Sequence, residues 1–347
     1  MATETRAETT TQTRAEAGAQ PARPVVFCSW RFPEAGLALL REAAEVRVWE
    51  GAAGAPREVL LRELPEADAV FALPPTDRLD AEAMALAPKL KVISGFGVGY
   101  DYVDVPEATR RGILVCNTPG TLTETMGDHT WALLLAAARH VARGDRYVRA
   151  GQWTKYEPAL MLGADVYGAT LGIVGLGAIG SAVVRRAAGF SMRLVYTGRS
   201  RKPEVEAATG AEFRALDDLL RESDFVCITC ALTPETRGLI GARELGLMKP
   251  TAILVNTARG AIVDQRALAE ALQAGRLAAA GIDVYVTEPL PPDDPLLACA
   301  TAVLVPHLGS ATHATRARMS RVAAENIVAA LHGRRPPYLV NPEAWRG

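Results

Sequence analysis

The chain has 347 residues, long for one domain and comfortable for two; folded compactly it would bury roughly three quarters of its unfolded surface, so it needs no disulfide or metal staple. Its 38 Lys and Arg against 39 Asp and Glu leave a formal charge of −1 with signs mixed throughout, which excludes a basic stripe for nucleic acid. Five scattered cysteines, an odd number, argue for a reducing, cytoplasmic setting, and the longest apolar runs, such as Trp131 to Ala138, are too short to span a bilayer.

Residues 1–23 carry no apolar periodicity and are expected to form a disordered tail; Glu4, Glu8 and Glu16 and the lack of an apolar stretch argue against a targeting signal. Order is expected from Pro24-Val-Val-Phe-Cys28. Further strands read at Glu45-Val-Arg-Val-Trp49, Ala69-Val-Phe-Ala72, Val92-Ile-Ser94 and Ile113-Leu-Val-Cys116, with helical segments between them. Such alternation predicts an α/β fold with a parallel sheet covered on both faces. Thr123 to Gly151 reads as one long helix, whose apolar load (Trp131, Leu133, Leu134, Leu135, Val141) exceeds the needs of an intradomain crossover. A second series of six strands follows, at Leu171, Arg193, Phe225, Ala252, Gly281 and Val303. Cys227-Ile-Thr-Cys230 has redox spacing, but it lies in an apolar run that reads as a buried strand rather than a reactive helix N-terminus.

The second series opens with a buried strand that runs through Gly175-Leu-Gly177-Ala178-Ile179-Gly180 into a helix. In a dinucleotide-binding turn the first glycine permits the sharp bend and the second lets the backbone approach a pyrophosphate. The third allows helix and strand to pack closely, with the phosphate over the helix N-terminus. A strand before and a helix after make the pattern far more specific than the glycines alone. The next strand ends Tyr196-Thr-Gly-Arg199-Ser200-Arg201-Lys202, with no carboxylate for a ribose diol. NADP(H) is therefore the preferred cofactor; a merely solvated basic loop would tolerate NAD(H) as well.

Three more strand ends carry Arg259, Glu288 and His307. Taken singly, each reads as a surface charge, an element terminator or a capped imidazole. Together, at the strand ends where open α/β sheets bind ligands, they match the reduction of a 2-keto acid. That reaction needs a cation to grip the carboxylate and polarise the ketone, an acid of near-neutral pKa, and a carboxylate to sustain that acid.

These segments, with Leu90 to Asp101, Arg111 to Gly120 and Leu232 to Gly238, resemble the D-2-hydroxyacid dehydrogenase family over nearly the whole chain after the tail. Within it, the chain is most similar to the glyoxylate/hydroxypyruvate reductase branch. The resemblance implies two Rossmann-like or flavodoxin-like parallel-sheet domains flanking an active-site cleft. Residues 24–119 plus 312–340, the latter with a returning helix near 314–331, would form the substrate domain. Residues 120–311 would form the dinucleotide-binding domain, and the long helix would take part in a homodimer. By the same resemblance Arg259 binds substrate, His307 is the general acid–base and Glu288 sustains its pKa. Val98 and Gly99 would hold the substrate carboxylate, although Gly97-Val98-Gly99 alone reads equally as a tight turn. Thr125, Thr257, Ala258 and Asp283 join the glycine loop and Arg199, Ser200 and Arg201 as cofactor residues, Asp283 at the nicotinamide carboxamide.

Phosphite-oxidising relatives carry a Lys in the Gly97–Gly99 loop and formate dehydrogenases a Gln where Pro306 stands, so both activities lose weight. Some reductases of the branch place a partner subunit's Trp where Pro158 to Gly163 has none, which leaves bulkier 2-keto acids as an alternative substrate. A non-enzymatic dinucleotide sensor of the C-terminal-binding-protein type is the other alternative. His129, His140, His313 and His332 read as caps or surface residues, and no His, Cys or Asp cluster has metal spacing, so no metal is expected.

Overall fold

The computed structural model describes residues 23–347; the expected tail, except Arg23, lies outside the described residues. Arg23 itself is anchored, its guanidinium donating to the carbonyls of Arg41 and Glu42 at 2.7 and 2.9 Å.

Five strands form the first sheet: β1 (Val25–Cys28), β2 (Glu45–Val48), β3 (Ala69–Ala72), β4 (Val92–Gly95) and β5 (Leu114–Cys116). Their order is β2-β1-β3-β4-β5, and every pairing is parallel. The second sheet contains β6 (Thr170–Val174), β7 (Arg193–Thr197), β8 (Glu212–Phe213), β9 (Phe225–Ile228), β10 (Ile253–Asn256), β11 (Ala279–Ile282) and β12 (Ala302–Leu304). Its order is β12-β11-β10-β9-β6-β7-β8, again all parallel. The count is seven rather than the six expected, because the two-residue edge strand β8 carries no apolar run of its own. Each sheet has a buried apolar cluster on either face, as parallel sheets covered by crossover helices require. Both change direction mid-sheet, at β1/β3 and at β6/β9, and such switch points open ligand crevices.

The expected single helix from Thr123 to Gly151 is two helices, Thr123–Ala138 and Val141–Arg149. Between them His140 adopts a left-handed conformation (φ 53°). A returning segment causes the break: Ala164 N–H takes the Ala138 carbonyl at 2.9 Å, and Gly163 lies so close that a Cβ there would meet that oxygen at 2.2 Å. Of the apolar residues named on this stretch, Trp131, Leu133 and Leu134 are buried within the protomer, where Trp131 Nε1 donates to Val183 O at 2.9 Å; Leu135 is half-buried and Val141, on the second helix, is exposed.

The last helix, His313–Leu331, packs against helix Glu34–Ala43 on the first sheet. Ser320 Oγ donates to Pro33 O at 2.7 Å and Asn326 Nδ2 to Asn117 O at 3.0 Å. Beyond it, Asn341 caps the edge of β5, accepting from Val115 N at 2.8 Å and donating to Ile113 O at 2.9 Å. The C-terminal segment thus returns to the first sheet. Among the described residues no helix is long and apolar enough to cross a membrane.

Candidate active site between the two sheets

The glycine loop begins where β6 ends. Gly175 turns with φ 100°, and a Cβ there would meet the Cys230 backbone at 2.6 Å, so the loop lies against the chain leaving β9, at the switch point. Gly180, on the first turn of helix Ala178–Ala187, sits where a Cβ would meet Gly175 O at 2.6 Å. Gly177, the cap residue, faces open space. These are the three geometric duties of a dinucleotide turn, including an uncovered helix N-terminus for a pyrophosphate. Cys227 is buried in β9 and Cys230 lies beyond the strand, beside the loop. Both are free thiols, which burial pushes up to about 12 and about 11, far from a reactive thiolate.

After β7, Arg199, Ser200 and Arg201 are all exposed. Arg201 is not free: it donates to Glu206 through Nε at 3.1 Å and Nη2 at 2.5 Å. Tyr196 bonds the same carboxylate through its hydroxyl and accepts Lys202 N–H at 2.7 Å. Arg201, then Tyr196, hold Glu206 down to about 2. The loop therefore does have a carboxylate nearby, five residues past Arg201, and Arg199 and Lys202 are left as its cations with no ion-pair partner among the described residues.

Arg259 follows β10, where Asn256 shapes the turn: its amide donates to Arg259 O at 2.9 Å and accepts Ala258 N–H at 3.1 Å. The Arg259 side chain crosses to the other sheet. Nε donates to Asp101 at 3.0 and 3.3 Å, Nη1 donates to Ala258 O at 2.9 Å, and a Cβ on Gly99 would meet Nη2 at 1.7 Å. The guanidinium thus lies flat on the loop after β4. That loop is pinned through its carbonyls, since Asn117 Nδ2 donates to Val98 O at 2.8 Å and Thr118 N to Gly97 O at 2.9 Å. Among the described residues no acceptor meets the N–H groups of Val98 or Gly99. Two N–H groups without an acceptor thus lie beside a cation, the kind of chemistry that anions seek.

Glu288 follows β11 and His307 follows β12. Glu288 Oε1 accepts Tyr285 N–H at 2.9 Å, and Oε2 meets His307 Nδ1 at 2.7 Å. His307 occupies a left-handed conformation (φ 53°), which its N–H bonds to Asp283 O and Val305 O, at 3.0 and 3.1 Å, hold in place. Asp283 is fully buried, its carboxylate accepting Leu308 N–H at 2.6 Å and Gly309 N–H at 3.0 Å. The resemblance puts this residue at the nicotinamide carboxamide; here both its oxygens face the His307 loop. Tyr285, whose hydroxyl donates to Val305 O at 3.0 Å, ties the loops after β11 and β12 together. Burial first, then the Asp283 and Glu288 charges, push this phenol up to about 12.

The helix Thr123–Ala138 borders these strand ends. Thr130 Oγ1 and Thr257 Oγ1 share a hydrogen bond at 2.9 Å, and Thr125 Oγ1 meets Thr315 Oγ1 at 2.7 Å. His129 is neither a cap nor a surface residue, because its ring packs toward Asp283. Sequence reasoning assigned no role to Asp101 or Glu206, and none in the site to His129. Asp101 ends the segment Leu90 to Asp101 that carries part of the family resemblance, but only the fold shows which cation it meets. Among the described residues no three His, Cys, Asp or Glu side chains converge into a metal-holding group.

A glycine turn at the switch point of one parallel sheet, with an Arg, a Glu–His pair and a loop of unpaired N–H groups at neighbouring strand ends, is the architecture of a dinucleotide-dependent α/β enzyme. The family model described as "D-isomer specific 2-hydroxyacid dehydrogenase, NAD binding domain" matches residues 131–309. The chain belongs to that family and is an NAD(P)-dependent oxidoreductase whose cofactor is a nicotinamide dinucleotide. It is 50% identical to a glyoxylate reductase of Korarchaeum cryptofilum over 92% of this chain and 97% of the relative. Among solved structures it is similar to a protein of Thermus thermophilus (47% identity, TM-score 0.85, 91% of this chain and 99% of that one). It is also similar to the NADPH-dependent glyoxylate/hydroxypyruvate reductase of Sinorhizobium meliloti, solved with NADP and malonate (30% identity, TM-score 0.83, 94% and 99%).

Proposed function

We propose that this chain reduces a small 2-keto acid of the glyoxylate or hydroxypyruvate type to the D-2-hydroxy acid, with NADPH preferred over NADH. The observation that carries the proposal is the Glu288–His307 pair standing at strand ends beside an Arg259 whose Nη2 edge and neighbouring N–H groups are available to an anion. The names of the relatives, glyoxylate reductases among them, support the substrate class.

In this reading the substrate carboxylate lies on Arg259 Nη2 and the N–H groups of Val98 and Gly99, and the guanidinium polarises the ketone. Glu288 accepts from Nδ1–H, orients His307 and stabilises the imidazolium. Nε2–H of that cation delivers its proton to the nascent alkoxide, leaving the neutral ring with its proton on Nδ1. Asp101 holds the guanidinium plane from the other sheet, which makes it a positioning residue for Arg259. Residues 24–119 with 312–340 serve as the substrate domain and 120–311 as the cofactor domain, and closure between them excludes water. A bound nicotinamide supplies the hydride. Gly175, Gly177, Ala178, Ile179 and Gly180 would hold its pyrophosphate, and Thr125, Thr257 and Ala258 would line the site. A 2′-phosphate would fall to Arg199 and Ser200, because Glu206 already engages Arg201. A cytoplasmic homodimer completes the proposal. The exposed Val141, Val148, Trp153, Tyr156, Leu162 and Tyr167 lie within one stretch of chain, a surface a second copy would cover.

The test is loss of reduced-nicotinamide absorbance with glyoxylate, hydroxypyruvate and bulkier 2-keto acids, each with NADPH and NADH. Fast turnover of the two small acids with NADPH is expected. No turnover of any 2-keto acid with either cofactor would refute the proposal.

A further inference from the structure

His129 takes no part in the chemistry above, yet its ring lies against the site. The side chain is 17% exposed, and Nε2 stands 3.1 Å from Asp283 Oδ1. The approach is off the line of a good hydrogen bond, and among the described residues Nε2 has no other partner. Asp283 is 0% exposed, and its two oxygens take the N–H groups of Leu308 and Gly309. Its carbonyl takes the N–H of His307 at 3.0 Å. One residue thus grips three consecutive N–H groups of the loop that carries the acid–base imidazole. A buried carboxylate met only by neutral donors is costly unless a positive or strongly polar partner faces it. Among the described residues no Lys or Arg lies within ion-pair distance of Asp283, and His129 does.

We propose that His129 is a positioning residue: it donates to Asp283, stabilises that carboxylate as an anion, and thereby keeps the His307 loop in its left-handed turn with Nε2 aimed into the cleft. This rests on the reading of His307 as the acid. Two imidazole–carboxylate pairs then serve one loop, His307–Glu288 within the site and His129–Asp283 behind it. The second pair links the loop to helix Thr123–Ala138, whose next residue, Thr130, bonds Thr257 beside Arg259.

The test compares His129→Gln with His129→Asn. Gln places an amide N–H near the native Nε2 position, whereas Asn stops one methylene short. Both are polar at a partly exposed position, and matched melting curves check folding. With glyoxylate and NADPH, Gln is expected to keep kcat within about twofold of wild type and Asn to lower it about tenfold, with KM moving less than about threefold in either. A purely structural role would lower the melting temperature without this ordering of kcat. Asn matching wild type, or Gln and Asn falling together, would overturn the proposal. His307→Gln is assayed alongside: if it keeps the wild-type rate, the acid assignment itself fails. If it falls while both His129 variants stay at wild type, only the present inference fails.

Discussion

Replacing Glu288 by Gln keeps the shape of the side chain and removes one charge, with consequences that the geometry specifies. The carboxylate serves two donors, Tyr285 N–H at 2.9 Å on Oε1 and His307 Nδ1 at 2.7 Å on Oε2. An amide has a single acceptor oxygen. Tyr285 N–H claims it, since the opposite orientation sets an NH2 group against a backbone N–H. The amide nitrogen then points at Nδ1 and forces that atom to present its lone pair, so the ring is neutral with its proton on Nε2. Donation from Nε2 would leave an imidazolate, because no proton remains on Nδ1. The acid is thus disabled without being displaced. Positioned acid–base groups contribute about 10²–10⁴-fold, and kcat for glyoxylate reduction is expected to fall by that factor, about 3–5 kcal/mol in the barrier. Cofactor affinity should barely move. The assay is loss of reduced-nicotinamide absorbance at saturating glyoxylate. A kcat within about threefold of wild type would show that the Glu288–His307 contact is not part of proton transfer.

Arg259→Lys removes the Nε bond to Asp101 and the planar fork proposed to hold the substrate carboxylate. Two charge-assisted bonds at about 1.5–3 kcal/mol each correspond to a fall of about 10²–10⁴ in kcat/KM, measured by steady-state kinetics. Arg199→Ala is expected to lower kcat/KM for NADPH about tenfold and leave NADH nearly unchanged; equal losses with both cofactors would remove Arg199 from 2′-phosphate binding. Asp77, after β3, bears on stability. Its Oδ2 accepts Leu73 N–H at 2.7 Å, its Oδ1 has no partner, and burial pushes the carboxyl up to about 6 from an ordinary 3.8. The folded state therefore holds this proton more tightly than the unfolded state. The group's contribution is fully present below about pH 4 and is lost as pH rises through 6, about 3 kcal/mol in all. The difference in unfolding free energy between wild type and Asp77→Asn, followed by denaturant titration from pH 4 to 7, should shift against wild type by that amount.

Local backbone demands were legible in the sequence. Gly175 and Gly180 can be read because a turn against Cys230 and a helix pressed on a strand leave no room for a side chain, whereas Gly177 stands at a cap that stays open. The two parallel sheets follow from short apolar strands alternating with helices. What stayed hidden depends on partners remote in sequence. Asp101 has meaning only beside Arg259, 158 residues later, and His129 only beside Asp283. The break at His140 is imposed by the returning Gly163–Ala164 segment, and a two-residue strand such as β8 has no period to detect. Arg201 shows that a basic motif does not reveal which of its charges are already paired, since Glu206 lies five residues on, across a turn.

The central claim is that His307 delivers the proton as hydride reaches a 2-keto acid. The most direct measurement sets glyoxylate turnover by His307→Gln beside wild type, with NADPH affinity determined on the same samples. A fall of about 10²–10⁴ in kcat at nearly constant cofactor affinity is the predicted result. Undiminished turnover by the variant would contradict it.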